Sequence, residues 1–516
     1  MDKRRVPTHV AEDMTSQAEI FDTVEPCLPD FGFDNSFARE LEEFYVPWQA
    51  ARAPEPRLLK FNRALADELR LNADALDTTV GADIFSGNRV PDGAAPLAQA
   101  YAGHQFGGFT PQLGDGRALL LGEVLDTLGQ RRDIQLKGSG RTPFSRGGDG
   151  KAALGPILRE YLIGEAMHAL GVPTTRALAA VATGEQVFRE TALPGAVLTR
   201  VSASHLRVGT FQFFAARGEM EKVRQLANYA IARHHPAARN SDNPYLAFFQ
   251  SVAQAQAKLV AQWMSIGFIH GVMNTDNTTI SGETIDYGPC AFMDTYNPAT
   301  VFSSIDLQGR YAYANQPPIL TWNLARLAET LIPLVDPSNE RAIELLTDAA
   351  NATPGLFANA WIARMRAKIG LYSAEDDDVD LVNNLLGAMH QGKADFTLTF
   401  RRLSDAVRGD TAPVRALFDD PATFDTWEKE WRTRLDRDAE AASNRAIAMD
   451  RVNPIYIPRN HKVEEALAAA VEHDDITAFD ALLSVLSAPF DEAAGNEAYA
   501  EPGLDTSVPY QTFCGT

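Results

Sequence analysis

The spacing of apolar residues predicts two long helices in the first half of the chain. The apolar positions of the first helix recur at helical spacing: Leu154, Ile157, Leu158, Tyr161 and Leu162. Gly171, followed by Pro173, ends this helix near residue 170. The second helix presents a comparable apolar face: Leu246, Phe249, Ala253, Val260, Trp263 and Met264. It ends at Gly267, and a shorter helix-like segment covers 65–71.

Short runs of strand-forming residues predict β-strands at 117–124, 133–137 and 196–201. With the helices, they divide the chain into four regions. These are an N-terminal extension (1–95), a Gly-rich β-containing lobe (96–212), a helical lobe (213–400), and a helical extension with a Cys-containing tail (401–516). A small β-rich lobe followed by a larger helical lobe predicts an α+β, protein-kinase-like bilobal fold.

The segment after the second helix carries the spacing of a kinase catalytic loop. Kinases place His-x-Asp before an Asn five residues further on, and Asp-Phe-Gly follows. His270 and Asn277 keep that spacing, and the sequence Asp-Tyr-Gly at 286–288 stands in for Asp-Phe-Gly. Val272 occupies the position of the kinase base, and its apolar side chain cannot accept a proton. The pattern indicates a nucleotide and metal site with a different use.

Two oxygen-bearing side chains in this segment suit a magnesium ion. Mg²⁺ takes hard oxygen ligands, usually one or two carboxylates together with substrate phosphates. The Asn277 amide and the Asp286 carboxylate supply such ligands. Asp276 is the nearest carboxylate that could replace the missing base. The alternative is that Asp276 is only a turn residue in the Asn/Asp-rich segment 274–277.

The β-rich lobe contains candidate phosphate-binding groups. Lys137 at the end of a strand and Glu160 on the following helix correspond to the Lys–Glu ion pair of kinases. The alternative is a surface lysine and a solvated glutamate. Gly114 and Gly116 would let backbone N–H groups approach phosphates, although Gly-Asp-Gly is also a common hairpin turn.

Arginines near Gly-rich loops are further candidates for phosphate contacts. The loop 138–151 is rich in Gly, Arg and hydroxyl side chains, which suits anion binding. Arg200 and Arg207 could add more contacts. Ordinary surface salt bridges are the alternative for each arginine taken singly.

Composition excludes several classes of partner. The chain has 516 residues and a formal net charge of −21, which argues against nucleic acids and anionic membranes as partners. No apolar run is long enough to span a bilayer, and the N-terminus lacks the apolar region of a secretory signal. The three cysteines, Cys27, Cys290 and Cys514, are few and far apart, which fits a cytoplasmic location.

Several longer motifs resemble the selenoprotein O (SelO) family. They lie at 101–107, 112–117, 135–143, 165–168, 171–178, 270–277 and 286–288. The resemblance runs from about residue 30 to the C-terminus. It implies a kinase-like pseudokinase fold and protein adenylyltransferase activity. Members are described as binding ATP in a flipped orientation and transferring AMP to protein hydroxyls.

The resemblance also implies roles for individual residues. Asp276 would be the proton acceptor, Asn277 and Asp286 would bind Mg²⁺ or Mn²⁺, and Glu160 would pair with Lys137. The nucleotide contacts would come from Gly114, Gly116, Arg117, Lys137, Asp149, Gly150, Arg200, Arg207 and Asp286. The chain departs from the family pattern around 147–151 and 154–157. Within the first of these ranges, the Asp149-Gly150 pair of the family pattern is nevertheless kept.

The predicted function is therefore AMP transfer from ATP to Ser, Thr or Tyr hydroxyls of target proteins. Two alternatives stay open: an ATP-dependent phosphotransferase, which Val272 disfavours, and a catalytically silent nucleotide-binding scaffold, which the intact Lys137, Asn277 and Asp286 disfavour. In this family the C-terminal Cys position is selenocysteine in some members, which suggests redox chemistry. A Cys290–Cys514 disulfide is one hypothesis, and two unrelated thiols are the other.

Overall fold

The computed structural model describes residues 28–503 and 510–512, in which helices are combined with antiparallel sheets. The α+β class is therefore confirmed. The strands are β1 (Tyr45–Pro47), β2 (Arg57–Phe61), β3 (Leu97–Gln99), β4 (Gly103–Gln105), β5 (Gly108–Thr110), β6 (Ala118–Leu125), β7 (Arg131–Lys137), β8 (Ala152–Ala153), β9 (Arg176–Phe188), β10 (Ala192–Ser202), β11 (Phe268–Ile269) and β12 (Ala291–Phe292). Cys27, Cys514 and the segment assessed for a secretory signal lie outside the described residues.

The helices follow the chain from the N-terminal segment to the C-terminal region. They are α1 (Ser36–Glu40), α2 (Arg63–Glu68), α3 (Ala73–Leu76), α4 (Thr79–Ser86), α5 (Leu154–Ala169), α6 (Val208–Ala215), α7 (Met220–His234), α8 (Pro244–Ser265), α9 (Gln316–Val335), α10 (Asn339–Asn351), α11 (Thr353–Lys368), α12 (Asp378–Gln391), α13 (Phe396–Arg408), α14 (Ala412–Arg415), α15 (Pro421–Leu435), α16 (Ala442–Asp450), α17 (Asn460–His473), α18 (Thr477–Leu486) and α19 (Glu497–Ala500). Single 3₁₀ turns occur at Pro236–Asn240, Thr275–Asn277 and Tyr313–Asn315. Between residues 28 and 503 and at 510–512, we find no helix of the length and apolar character that a bilayer crossing requires.

The main sheet has the strand order β1-β3-β6-β7-β10-β9-β2, and β8 also pairs with β10. Its pairings are antiparallel, and the central pair places Arg200 opposite Gln135 and Leu198 opposite Lys137. Successive side chains of a strand point to opposite faces. Ile134 and Leu136 accordingly enter an apolar core with α2 and α4, which leaves Gln135 and Lys137 for the other face.

The two predicted long helices are confirmed as α5 and α8. The side chain of Asn243 caps α8 by accepting a hydrogen bond from the Leu246 N–H, and Pro244 occupies its first turn. Gly267 follows α8 with φ +71°, a conformation in which glycine is unstrained. The helix predicted at 65–71 is shorter than expected, since α2 ends at Glu68 and Arg70 adopts φ +61°.

The three predicted strands are present as β6, β7 and β10, while the long strand β9 was not predicted. The segment 1–95 also contributes β1 and β2, which lie at opposite ends of the sheet order. From the C-terminal side, α17 and α18 pack on α5, where the rings of Tyr161 and Phe479 are 6.0 Å apart. The division into four regions stays a prediction.

Candidate active site

Lys137 and Glu160 form a buried ion pair between β7 and α5. The Lys137 Nζ is 2.5 Å from the Glu160 Oε2, and both residues are about 95% buried. A surface lysine and a solvated glutamate are therefore excluded. Lys137 also donates to the Asp286 Oδ1 at 2.8 Å, so the ion pair reaches the loop that was expected to bind metal.

Asp286 is the point where three cationic side chains meet. Its Oδ1 accepts from Lys137 and, at 2.7 Å, from the Arg200 Nη1, while the Arg207 Nη1 lies 3.9 Å from its Oδ2. Burial favours the neutral form, but these three positive charges outweigh it and hold the pKa of Asp286 well below its usual range. Three cationic side chains thus meet at Asp286, and their N–H donors suit a phosphate group.

Arg200 is held in place by a side chain that the sequence analysis missed. The Gln135 Oε1 accepts from the Arg200 Nη2 at 2.6 Å, and the Gln135 Nε2 donates to the Asp115 Oδ2 at 3.2 Å. Gln135 lies two residues before Lys137 on β7, so strand periodicity alone could have placed it on the same face. Asp115 had no such signal, because it lies in the turn between Gly114 and Gly116.

Arg207 connects the two loops of the site. Its Nη1 donates to the Asp276 carbonyl oxygen at 3.2 Å, and its guanidinium lies 4.3 Å from the centre of the Tyr101 ring. The Arg207 Nη2 is buried and has no hydrogen-bond partner among the described residues. Since Arg200 and Arg207 are both almost fully buried, neither is part of a surface salt bridge. The unpaired Nη2 is a donor suited to a phosphate oxygen.

Asp276 has one carboxylate oxygen without a hydrogen-bond partner among the described residues. It lies in the 3₁₀ turn Thr275–Asn277, and its Oδ2 accepts from the Gln105 Nε2 at 3.1 Å. Its Oδ1 is buried and has no partner among the described residues. Burial raises the pKa of Asp276 to about 6, so the carboxylate is a stronger base than an exposed aspartate but still ionised at neutral pH. The backbone of Asp276 thus lies in a turn, as the alternative interpretation predicts. A turn role alone does not explain why its side chain is buried with an unpaired oxygen.

The remaining residues of the catalytic-type loop are held by hydrogen bonds. The His270 Nε2 donates to the Ile285 carbonyl at 2.9 Å, which ties the loop to the residue before Asp286. The Asn277 Nδ2 donates to the Val272 carbonyl at 3.0 Å, and this contact leaves the Asn277 amide oxygen as the group that can bind a ligand.

The glycines of the Gly-rich loops are required by packing. A Cβ on Gly114 would lie 2.3 Å from the Phe144 ring, and one on Gly116 would lie 2.9 Å from the Phe144 carbonyl. Gly150, with φ +68°, has no room either, since its Cβ would lie 2.1 Å from the Gly140 carbonyl. The loop 138–151 can therefore lie directly on the turn 112–117. Nucleotide contacts by these glycines stay a prediction.

Two further predicted nucleotide contacts lie at the margin of the site. Arg117 is half-buried before β6, and its carbonyl accepts from the Gly138 N–H at 2.7 Å, next to Lys137. Asp149 is exposed and forms an ion pair with Arg189 at 2.9 Å. The structure thus brings Lys137 together with Glu160, Arg200, Arg207 and Asp286, whereas Asp149 is engaged in a separate contact.

The protein ligands for a metal are few. Among residues 28–503 and 510–512, no three His, Cys, Asp or Glu side chains are grouped as a metal site. The predicted pair, the Asn277 amide oxygen and the Asp286 carboxylate, consists of hard oxygen donors. Such a set fits Mg²⁺ or Mn²⁺ that is shared with nucleotide phosphates, because the protein needs to supply only one or two ligands in that case.

Cys290 is buried, and burial raises the pKa of its thiol to about 11. The thiol is consequently protonated at neutral pH, which disfavours reaction as a thiolate. Because Cys514 lies outside the described part of the chain, a Cys290–Cys514 pair stays a hypothesis.

Gly103 offers a test of how the Asp276 side chain is positioned. A Cβ on Gly103 would lie 2.5 Å from the Asp276 Oδ1, so Gly103→Ala must displace the carboxylate. We expect nucleotide transfer to fall by about tenfold to a hundredfold with little change in melting temperature. Gly108→Ala, in the same hairpin, places its Cβ at an ordinary 3.5 Å from the Gln105 carbonyl and serves as the control. Equal activities of the two variants would contradict the prediction.

Comparisons with known proteins agree with the motifs. A family model described as protein adenylyltransferase SelO matches residues 29–487. A protein nucleotidyltransferase YdiU of Cereibacter sphaeroides is 63% identical over 490 residues, which cover 94% of this chain and 100% of that protein. YdiU proteins of Rhizobium meliloti and Rhodopseudomonas palustris are 60% and 57% identical, each over 488 residues that cover 94% of this chain and 99% of the relative.

Proposed function

The chain belongs to the SelO family of protein adenylyltransferases, and from this membership we propose that it transfers AMP from ATP to Ser, Thr or Tyr hydroxyls of target proteins. It is a nucleotidyltransferase by family, and the acceptor residues, the metal and the site roles are the proposal. The observation that carries it is the cluster of Lys137, Arg200 and Arg207 around Asp286, next to Asp276, whose main-chain carbonyl accepts from Arg207 and whose carboxylate Oδ1 is unpaired.

In the proposed reaction, the acceptor hydroxyl oxygen attacks the α-phosphorus of ATP. A new P–O bond forms, the bond from the α-phosphorus to the bridging oxygen breaks, and pyrophosphate leaves. Asp276 accepts the hydroxyl proton through its unpaired Oδ1, for which its raised pKa is appropriate. Lys137, Arg200 and Arg207 offset the negative charge that develops on the phosphate oxygens.

A divalent cation, Mg²⁺ or Mn²⁺, would be held by Asn277 and Asp286 and would polarise phosphate oxygens when bound. In this role, the Asp286 carboxylate would bind the cation as well as Lys137 and Arg200. Arg207, whose Nη2 has no protein partner, then supplies a donor to the nucleotide.

The kinase-like bilobal architecture is part of the same proposal. It is supported by the order of a β-rich segment before a mainly helical one and by the buried Lys137–Glu160 pair. ATP in the flipped orientation described for the family would place the α-phosphate, rather than the γ-phosphate, beside Asp276. A cytoplasmic location also stays a prediction from the cysteine content.

Labelled ATP distinguishes this proposal from a kinase or a silent scaffold. With ATP labelled on the α-phosphate, we expect protein acceptors to become labelled, and with the γ-label we expect pyrophosphate to carry the label away. Labelling from the γ-position alone would establish a phosphotransferase. ATP binding without transfer of either label would establish a scaffold.

A further inference from the structure

The β4–β5 hairpin has an aromatic residue at a position where the backbone disfavours one. Gln105 pairs with Gly108, so Phe106 and Gly107 form the two-residue turn between them. Their φ angles are +51° and +86°, and such turns are normally occupied by Asn-Gly or Asp-Gly. Phe106 is therefore strained, yet its side chain is 39% exposed rather than buried in a core. Strain of this kind is characteristic of residues with a functional role.

This hairpin is attached directly to the loop of Asp276. The His104 N–H donates to the Thr275 Oγ1 at 2.7 Å, and the Gln105 side chain donates to Asp276. The Phe106 N–H contacts the Asn274 Oδ1 at 3.2 Å. The tip of the hairpin is thus fixed within a few residues of the proposed proton acceptor.

Arginines and aromatic rings surround the hairpin. The guanidinium groups of Arg310 and Arg326 each lie 4.9 Å from the centre of the Trp322 ring. The ring of Phe106 contacts Tyr311, the neighbour of Arg310, at 5.0 Å. Phe109, on the second strand of the hairpin, is 41% exposed. Exposed aromatic rings beside half-buried arginine side chains are typical of protein-binding surfaces.

Arg310 has no counter-charge on this surface. Within the described residues, no carboxylate lies within 4 Å of the Arg310 guanidinium, whereas Arg326 is already paired with Glu329 at 2.7 Å. The chain as a whole carries a formal charge of −21. A half-buried arginine without a counter-charge in such an acidic protein favours an acidic ligand.

We propose that the surface formed by Phe106, Phe109, Arg310, Trp322 and Arg326, the acceptor surface, binds an acidic segment of the protein that is modified. The aromatic rings would contact apolar side chains of that segment, and Arg310 would pair with its carboxylates. The hairpin would thereby guide the acceptor hydroxyl to Asp276. This inference rests on the proposed function, and it adds a preference for hydroxyls flanked by Asp or Glu.

Two peptides and two variants test the proposal. The first fluorescent peptide has one serine flanked by Asp, Glu and Leu, and the second replaces the acids with Asn and Gln. Wild-type protein should bind the acidic peptide about five to ten times more tightly, as measured by anisotropy, and Arg310→Gln should abolish the difference. Arg239→Gln alters an exposed arginine that is not part of the acceptor surface, so this variant should retain the difference in affinity between the two peptides. Equal binding of both peptides by wild-type protein would overturn the proposal.

Phe106→Asn separates a binding role from a structural one. Asparagine tolerates the left-handed turn, so the melting temperature should stay the same or rise. The acidic peptide should nevertheless bind more weakly, and the KM for it in α-labelled AMP transfer should rise several-fold. Unchanged binding would show that the ring does not contact the acceptor.

Binding and transfer also distinguish failure of this proposal from failure of the proposed function. Selective binding without transfer of the α-label would contradict AMP transfer and leave the acceptor surface supported. Transfer with equal efficiency to both peptides would contradict only the acceptor surface. Self-association through this surface would appear as a concentration-dependent mass that Arg310→Gln abolishes, and it would replace the acidic acceptor as the occupant.

Discussion

Asp276→Asn is expected to reduce AMP transfer by at least about a hundredfold, because a positioned general base contributes about 10² to 10⁴ in rate. The amide keeps the shape of the carboxylate and its contact with Gln105 but cannot accept the proton of the acceptor hydroxyl. ATP binding should change little, since Lys137, Arg200 and Arg207 are unaltered. Transfer of label from α-labelled ATP, together with ATP affinity by calorimetry, measures the two effects separately.

The same variant should be at least as stable as the wild type at neutral pH. Burial raises the pKa of Asp276 to about 6, so the folded state holds its proton more tightly than the unfolded state. The associated stability is fully present below the unfolded pKa of about 4 and is lost as pH rises through about 6. Without added metal, the melting temperature of Asp276→Asn relative to wild type should therefore be higher at pH 7.5 than at pH 4.

Glu283→Gln is a matched control for this prediction. Glu283 is a largely buried carboxylate whose pKa is raised by burial to about 7, but its side chain contacts the Ala203 N–H and lies near Arg132. Glu283→Gln should show the same pH-dependent gain in melting temperature as Asp276→Asn, but it should retain AMP transfer. If Asp276→Asn kept more than a tenth of wild-type transfer, Asp276 would not be the base.

Features that depend on neighbouring residues in the chain could be predicted from the sequence. The helices α5 and α8 have clear apolar periodicity and end signals, and Lys137 and Glu160 were identified by their positions on a strand and the next helix. The strand β9 was missed because its first half is rich in alanine, which has no preference for strands. It forms because β2 and β10 pair with its two edges.

The parts of the site that could not be predicted depend on contacts between distant segments. Gln105 and Asp276 are 171 residues apart in the chain, and no local pattern indicates that they meet. Asp115 similarly reaches Gln135 only because its turn lies over the central strands. The sequence identified residue types suited to phosphate and metal binding, and the fold determines which of them share an ion pair.

Asp286→Asn is expected to abolish detectable AMP transfer, with a loss of at least about a hundredfold. The substitution removes the only carboxylate of the predicted metal-binding pair, and metal-bound phosphate stabilisation is worth several kcal/mol. It also leaves Lys137 and Arg200 with Glu160 as their remaining carboxylate partner. Transfer assays across a range of Mg²⁺ and Mn²⁺ concentrations measure the effect. Recovery of wild-type rates at high metal concentration would show that Asp286 contributes affinity alone.

The stability of Asp286→Asn should change in the opposite direction to that of Asp276→Asn. Lys137, Arg200 and Arg207 hold the pKa of Asp286 well below its usual range, so its ionised form stabilises the fold at neutral pH, and that stability is lost only as pH falls through the folded pKa. Asp286→Asn should accordingly lower the melting temperature at pH 7.5. Asp294→Asn, which removes the carboxylate charge that pairs with the buried Arg459 outside the site, should lower it as well but retain transfer per folded molecule. If Asp286→Asn and Asp294→Asn both lost transfer, impaired folding would explain the loss. Loss of transfer in Asp286→Asn alone would attribute the effect to the site. Opposite shifts of melting temperature for Asp286→Asn and Asp276→Asn would mean that cations hold Asp286 ionised, whereas burial keeps Asp276 basic.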